Sequence, residues 1–123
     1  MANKKILVVE DDKFLRKVYE SKLPKEGFDV VLAVDGVEGL EKLKTEAPDL
    51  MLLDLIMPRK SGFEVLEELK ADKKAAHIPI LVLSNLGQDE DIERTKNLGA
   101  TEFLIKSNLS IKEIIEKIKQ YTK

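Results

Sequence analysis

The chain has 123 residues, of which 43% are hydrophobic, and this length and composition predict a single domain over residues 1–123. Its net charge of −2, from 21 basic and 23 acidic residues, leaves no overall basic field to gather nucleic acid or anionic lipid, so we expect neither partner. Cysteine is absent, which excludes disulfides, thiolate metal sites and a cysteine nucleophile. No apolar run approaches the length of a membrane span, and we expect a cytoplasmic protein.

Five short apolar runs recur along the chain and predict five β-strands. In order, they cover residues 6–9, 28–33, 50–54, 78–84 and 101–105. The first, third and fourth runs are continuous rather than alternating, which is typical of central strands that are covered on both faces. We therefore expect the second and fifth strands at the edges of the sheet.

Helical patterns of apolar residues lie between these runs and after the last one. Their apolar positions are Phe14, Leu15, Val18 and Leu23, then Val37, Leu40, Leu43 and Ala47, then Val65, Leu66 and Leu69, then Ile92 and Leu98, and finally Ile111, Ile114, Ile115, Ile118 and Tyr121. The fourth pattern, over 89–98, is the poorest, and it predicts the least firmly held helix. Because strand and helix alternate five times, we predict an α/β fold with a parallel sheet and helices on both faces.

Capping signals agree with these predicted helices. Pairs with capping-box spacing stand at three predicted helix starts, and they are Asp35 with Glu38, Ser61 with Glu64, and Ser110 with Glu113. Gly27 and Gly99 stand where helices should stop.

Polar side chains follow four of the five predicted strands. They are Glu10, Asp11 and Asp12 after the first, Asp54 after the third, Ser84 after the fourth and Lys106 after the fifth. Taken singly, such residues are usually helix caps, turn residues or solvated amines. Taken together, they converge on the carboxyl edge of one parallel sheet, where ligands bind in open α/β folds. The convergence favours a functional site.

The chemistry of these side chains indicates phosphoryl transfer with a divalent cation. Carboxylates about 4 Å apart repel by roughly 4 kcal/mol at an effective dielectric near 20, and a bound cation offsets that repulsion. Mg²⁺ suits carboxylates that leave an open side for water and phosphate oxygens. A carboxylate can also be the nucleophile that forms an acyl phosphate, and a lysine and a hydroxyl nearby can neutralise the transferred group.

These residues resemble the receiver domain of two-component response regulators, from Lys5 to about Lys119. The motifs that carry the resemblance are the acid pair Asp11-Asp12, "LLDLIMPRKSG" around Asp54, the strand end at Ser84, and "GATEFLIK" ending in Lys106. The resemblance implies a doubly wound, flavodoxin-like (βα)5 fold with strand order 2-1-3-4-5.

The resemblance also implies a role for each matched residue. Asp54 would accept a phosphoryl group from a histidine kinase or phosphotransfer protein. Asp11, Asp12, Asp54 and the backbone carbonyl of Ile56 would bind Mg²⁺. Glu10 lies outside the acid pair of the family and is interpreted as a bystander.

Further implied roles concern signalling. Ser84 and Lys106 would contact phosphoryl oxygens, and Phe103 would turn inward as Ser84 moves toward the phosphoryl group. The face built from the fourth helix, fifth strand and fifth helix would then change and control a separate effector protein. We expect a monomer or weak dimer, and no enzyme activity beyond self-phosphorylation from small donors and slow autodephosphorylation. This output through a separate protein is expected because the chain ends at Lys123, unless the chain is a fragment.

Several positions depart from the pattern of the family. Ser107 follows Lys106 where the family usually has a cis proline, and a cis bond without proline costs about 3 kcal/mol. Asn85 follows Ser84 where a smaller residue is usual. Ile56 and Leu86 hold the positions that tune hydrolysis, and because both are apolar we expect slow loss of the phosphoryl group.

Three other functions compete with this interpretation. A flavodoxin-like electron carrier would need a loop that cradles the FMN phosphate after the first strand, where this chain has acids. A metal-dependent phosphatase would usually carry a second acid two residues beyond the nucleophile, where this chain has Ile56. A binding scaffold with this fold would retain the acids without using them. The lone His77 is interpreted as an ordinary surface residue rather than a phosphorelay histidine.

Overall fold

The computed structural model describes residues 3–72 and 77–123. Within these residues, five strands alternate with five α-helices, as predicted, and a single turn of 3₁₀ helix, Lys106–Asn108, precedes the last helix. In chain order the elements are β1 (Lys5–Val9), α1 (Lys13–Lys25), β2 (Asp29–Ala33), α2 (Gly36–Glu46), β3 (Leu50–Asp54), α3 (Gly62–Ala71), β4 (Ile80–Ser84), α4 (Asp89–Asn97), β5 (Glu102–Ile105) and α5 (Ile111–Tyr121).

The five strands form one parallel sheet with the order β2-β1-β3-β4-β5. This confirms the predicted α/β fold, its strand order and the central position of the three continuous apolar runs. Strands β2, β4 and β5 begin one or two residues later than predicted. Pro79, for example, has no N–H to donate to a ladder and only accepts, from the N–H of Met51 at 3.0 Å.

The core consists of two apolar layers, one on each face of the sheet. Alternate residues of β1 divide between them, since Ile6 and Val8 lie in one layer and Leu7 and Val9 in the other. The first layer includes apolar residues of α1 and α5, and the second those of α2 and α3. Helices therefore cover both faces, as the predicted right-handed crossovers require.

Two of the three predicted capping boxes are complete. At Ser61 and at Ser110, the hydroxyl accepts from the N–H three residues on, and the glutamate there accepts from the N–H of the serine. At α2 the Asp35 carboxylate caps the helix, but Glu38 accepts from the N–H of Val34 instead of closing the box.

Helix α4 has weak anchorage, as its sequence predicts. Its N-cap, Gln88, makes no capping hydrogen bond through its side chain, and Thr95 is the one fully buried residue of this helix. Its C-terminal half contacts α3 through Lys70 Nζ, which donates to the carbonyl of Asn97 at 2.6 Å. The Arg94 guanidinium lies 4.1 Å from the centre of the Phe63 ring and 3.8 Å from Glu67 Oε1, both on α3.

Among the described residues, none of the helices has both the length and the apolar character that crossing a membrane requires. His77 is exposed just before β4, as expected of a surface residue.

Candidate functional site

Three carboxylates converge at the carboxyl edge of the sheet. Glu10, Asp11 and Asp54 each place one carboxylate oxygen within 4.8 Å of the others. The convergence follows from the register of β1 and β3, which pairs Val9 with Leu53 and so sets Glu10 and Asp54 side by side. Glu10 and Asp54 are buried, whereas Asp11 is exposed and leaves one side of the cluster open.

Lys106 supplies the positive charge that these acids need. Its Nζ lies 2.7 Å from Glu10 Oε1 and 3.0 Å from Asp54 Oδ2. Burial alone would lower the pKa of this ammonium, but its hydrogen bond to Glu10 and the charge of Asp54 outweigh burial and raise the pKa. The lysine therefore stays charged and compensates part of the repulsion between the two buried carboxylates.

Asp54 is held by contacts to both of its oxygens. Its Oδ1 accepts from the N–H of Leu55 at 2.8 Å, and its Oδ2 accepts from Lys106. A Cβ at Gly62 would clash with the Asp54 carbonyl oxygen, so only glycine fits there. The glycine thus allows α3 to begin in close contact with the backbone at Asp54.

Glu10 is not the bystander that the sequence suggested. Its side chain is 3% exposed, its Oε1 accepts from Lys106, and its Oε2 accepts from the N–H of Asp12 at 3.2 Å. Burial raises the pKa of Glu10 to about 7, although the hydrogen bond from Lys106 works in the opposite direction. The sequence offered a direct signal, since Glu10 is the first residue after the buried strand.

Asp12, in contrast, does not join the three-acid cluster. It is the N-cap of α1, where its Oδ1 accepts from the N–H of Phe14 at 2.8 Å and of Leu15 at 3.2 Å. By this residue the chain has already turned into the helix, so the carboxylate serves the free backbone donors there. The structure therefore groups Glu10, rather than Asp12, with Asp11 and Asp54.

Ser84 lies at the end of β4, between the strands that carry Asp54 and Lys106. It is almost fully buried, and its Oγ accepts from the N–H of Leu86 at 3.2 Å. Phe103 is a half-buried residue of β5 that packs against the layer formed with α2 and α3. Ile56, in the loop after Asp54, is 60% exposed.

The loop after Lys106 takes a conformation without a cis bond, since none of the described residues follows a cis peptide. Lys106–Asn108 form the 3₁₀ turn, and the N–H of Ser107 donates to Asn85 Oδ1 at 3.0 Å. The two departures from the family pattern at these positions therefore contact each other.

One ion pair near the site was not predicted from the sequence. Arg59 Nε lies 2.5 Å from Asp35 Oδ2 and so joins the loop after β3 to the start of α2. The hydrogen bond from Arg59 lowers the pKa of Asp35. Arg59 has a positive φ of 63°, which is uncommon for a residue with a side chain, and the sequence contains no signal for it.

The chain matches the family model described as the response regulator receiver domain over residues 6–119. It is 37% identical over 117 residues to the alkaline phosphatase synthesis transcriptional regulatory protein PhoP of Bacillus subtilis, covering 95% of this chain and 48% of PhoP. It is 31% identical over 118 residues to the polar-differentiation response regulator DivK of Brucella ovis, covering 96% of this chain and 95% of DivK. The chain spans about half the length of several curated relatives that it matches.

Solved structures give the same result. The BeF3-activated N-terminal receiver domain of RstA from Klebsiella pneumoniae superposes with a TM-score of 0.85 at 27% identity, covering 98% of this chain and 99% of that one. Chemotaxis protein CheY4 from Vibrio cholerae superposes with a TM-score of 0.88 at 28% identity, with coverage of 98% and 99%. With its fold, its strand order and the family match over nearly its whole length, this chain belongs to the response regulator receiver domain family.

Proposed function

We propose that this domain is a phosphorylatable switch in which Asp54 accepts a phosphoryl group from a phosphohistidine donor in a Mg²⁺-dependent reaction. One observation carries the proposal. The Asp54 carboxylate stands at the base of a three-acid cluster with the Lys106 ammonium 3.0 Å from its Oδ2. This arrangement combines a nucleophile, a cation-binding set of oxygens and a fixed positive charge in one place.

The carboxylates of Glu10, Asp11 and Asp54 fit a magnesium ion by their chemistry. All three offer hard oxygen donors, and the exposed side at Asp11 leaves room for water and phosphate oxygens. The carbonyl of Ile56 remains our expected further ligand. When bound, Mg²⁺ supplies neutralisation of the charge on the transferred group. Asp12 drops out of the predicted ligand set because it lies outside the three-acid cluster and its Oδ1 caps α1.

The transfer itself requires little covalent chemistry from the protein. An Asp54 oxygen forms a bond to phosphorus, the bond from phosphorus to the imidazole nitrogen of the donor breaks, and that nitrogen keeps the electron pair. Lys106 then neutralises charge on the phosphoryl group from its position beside Asp54. The Ser84 hydroxyl accepts from the N–H of Leu86, and its own O–H would donate to a phosphoryl oxygen.

Switching would follow from that new hydrogen bond of Ser84. We expect the loop after β4 to move toward the phosphoryl group and Phe103 to turn further into the space beneath it. The weakly anchored α4 lies next along the chain, so the face formed by α4, β5 and α5 is the surface that responds. A separate effector protein would bind this face.

Exposed apolar side chains around the site favour a protein, rather than a small molecule, as the phosphoryl donor. Phe14 is 72% exposed at the start of α1, Ile56 is 60% exposed after β3, and Val34 is 40% exposed after β2. All three lie at the edge of the sheet that carries the acidic cluster. A histidine kinase or phosphotransfer protein would cover them when it presents its phosphohistidine.

The experiment that tests this proposal compares the protein with its Asp54→Ala variant in Mg²⁺ and beryllium fluoride, a mimic of the phosphoryl group. We expect amide NMR shifts at Ser84, Phe103 and α4 in the wild-type domain and none of these shifts in the variant. A binding scaffold that does not use its acids would give no shifts in either protein. Equal shifts in both proteins would place the phosphoryl site elsewhere.

A further inference from the structure

A hydrogen bond joins the two loops that carry the proposed phosphoryl-binding side chains. Asn85 follows Ser84 directly, Ser107 follows Lys106 directly, and the N–H of Ser107 donates to Asn85 Oδ1 at 3.0 Å. The bond therefore links the residue after the hydroxyl to the residue after the ammonium. Its position makes it a connection between the loops of the two groups that would contact phosphoryl oxygens.

The register of the sheet explains why such a link matters here. The β4–β5 pairing ends with Ser84 opposite Ile105, so the backbones of both strands leave the sheet at this point. Beyond it, one chain enters the loop to α4 and the other enters the 3₁₀ turn. The Asn85–Ser107 bond extends the connection past the last pair of the ladder, by one residue after β4 and two after β5.

We propose that Asn85 is a positioning residue for phosphoryl transfer, which keeps the loop of Ser84 close to the loop of Lys106, through the N–H of Ser107, before the phosphoryl group arrives. This inference rests on the proposed function of Asp54. Loop movements that separate Ser84 from Lys106 must first break this bond, so both side chains are presented together to the incoming group. Ordering them beforehand lowers the entropy cost of reaching the transition state.

The residue types at both ends suit this role. Position 107 can donate because serine, unlike proline, has a backbone N–H. Position 85 can accept because asparagine carries a side-chain carbonyl oxygen, which an alanine or glycine lacks. The serine hydroxyl has no part in the bond, and this provides a matched control.

The test measures the rate of phosphorylation by acetyl phosphate in saturating Mg²⁺ for four proteins. They are the wild type and its Asn85→Ala, Asn85→Leu and Ser107→Ala variants. We expect both Asn85 variants to react roughly fivefold to tenfold more slowly, the range that one net hydrogen bond allows. Ser107→Ala keeps the N–H and should react like the wild type. Mg²⁺ affinity should be the same in all four, because the acids are untouched.

Several results would overturn the inference. Asn85→Ala could react at the wild-type rate, or faster because a bulky side chain had only narrowed access. Ser107→Ala could be as slow as Asn85→Ala, or Mg²⁺ affinity could fall in parallel with the rate, which would indicate a general loss of structure. A fifth protein, Ser107→Pro, removes the donor itself, and adding Asn85→Ala to it should cause no further slowing.

Failure of this inference is distinguishable from failure of the proposed function. If the wild-type protein takes up no phosphoryl group, the assignment of Asp54 is wrong. If it does so in an Asp54-dependent way and the Asn85 variants keep the wild-type rate, only the positioning role of Asn85 is wrong.

Discussion

The backbone N–H of Asp12 donates a hydrogen bond to Glu10 Oε2 at 3.2 Å, although the two acids serve different parts of the structure. Glu10 faces the buried cluster and pairs with Lys106, whereas Asp12 faces outward and caps α1. The turn between them thus divides three consecutive acids between the three-acid cluster and a helix cap.

This division predicts opposite results for two conservative variants. Glu10→Gln removes a carboxylate from the cluster, so its affinity for Mg²⁺ should fall by roughly tenfold or more. Asp12→Asn keeps an N-cap of similar strength and should bind Mg²⁺ like the wild type. Titration calorimetry of both variants measures this. A large loss in Asp12→Asn with little change in Glu10→Gln would restore the pair Asp11-Asp12 as the ligands.

Under the proposed function, we expect the lifetime of the phosphorylated protein to depend on the side chains at positions 56 and 86. Ile56 and Leu86 are apolar and cannot orient a water molecule for attack on the acyl phosphate. Ile56→Asn and Leu86→Glu should therefore lose the phosphoryl group several times faster than the wild type. The decay of the phosphorylated mass after removal of the donor measures this. Faster decay in the wild type than in these variants would contradict the prediction.

The Asp35–Arg59 pair should make part of the stability depend on pH. Because Arg59 lowers the pKa of Asp35 below its usual 3.8, the unfolded chain binds a proton at higher pH than the folded one. The contribution is therefore present above about pH 4 and is lost as the pH falls through the lowered pKa. It amounts to about 1 kcal/mol or less, since the Arg59 side chain is 60% exposed.

Urea unfolding of the wild type and Asp35→Asn checks this expectation. Asparagine keeps the cap of α2, so the variant isolates the charge. The difference in unfolding free energy between the two proteins should shrink between about pH 6 and about pH 3. A difference that stays constant over this range would show that the ion pair contributes nothing.

The hydroxyl of Tyr19 should lower the stability of the fold, whereas the Asp35–Arg59 pair should raise it. This hydroxyl is the one buried side-chain polar atom without a hydrogen-bond partner among residues 3–72 and 77–123. Burial, and then the charges of Glu10 and Asp54, raise the pKa of this phenol, so it stays protonated. A buried donor without a partner costs about 1–3 kcal/mol, so Tyr19→Phe should raise the free energy of unfolding by about 1 kcal/mol.

Tyr121→Phe is the matched control for this prediction. The hydroxyl of Tyr121 donates to Glu102 Oε2 at 2.5 Å, so its removal should lower the free energy of unfolding. Chemical unfolding of both variants measures the two signs. A destabilised Tyr19→Phe would mean that the hydroxyl of Tyr19 has a partner after all.

The pattern of hydrophobic residues predicted the fold well because burial of apolar side chains on both faces is what stabilises the central strands of the sheet. The continuous runs ending at Val9, Asp54 and Ser84 became the three central strands, each covered on both faces. The alternation of strand and helix then determined which residues share the carboxyl edge. Lys106 and Asp54, 52 positions apart, therefore could be grouped from sequence before their 3.0 Å contact was seen.

Local geometry at the ends of elements could not be predicted in the same way. Glu10 and Asp12 are both acids in one run, and only the turn into α1 decides which of them faces the cluster. The bond from Ser107 to Asn85 joins loops that are 22 positions apart and follow no periodic pattern. These contacts depend on the backbone conformation of individual residues in loops and turns. Hydrophobic periodicity carries no information about that conformation.

The most direct test of the account is mass analysis of the protein after incubation with acetyl phosphate and Mg²⁺. We predict that one phosphoryl group is added, that fragment spectra place it on Asp54, and that a chelator of Mg²⁺ prevents its addition. Phosphoryl groups on other residues, or uptake that persists in Asp54→Ala, would contradict the central claim that the buried Asp54 carboxylate is the acceptor.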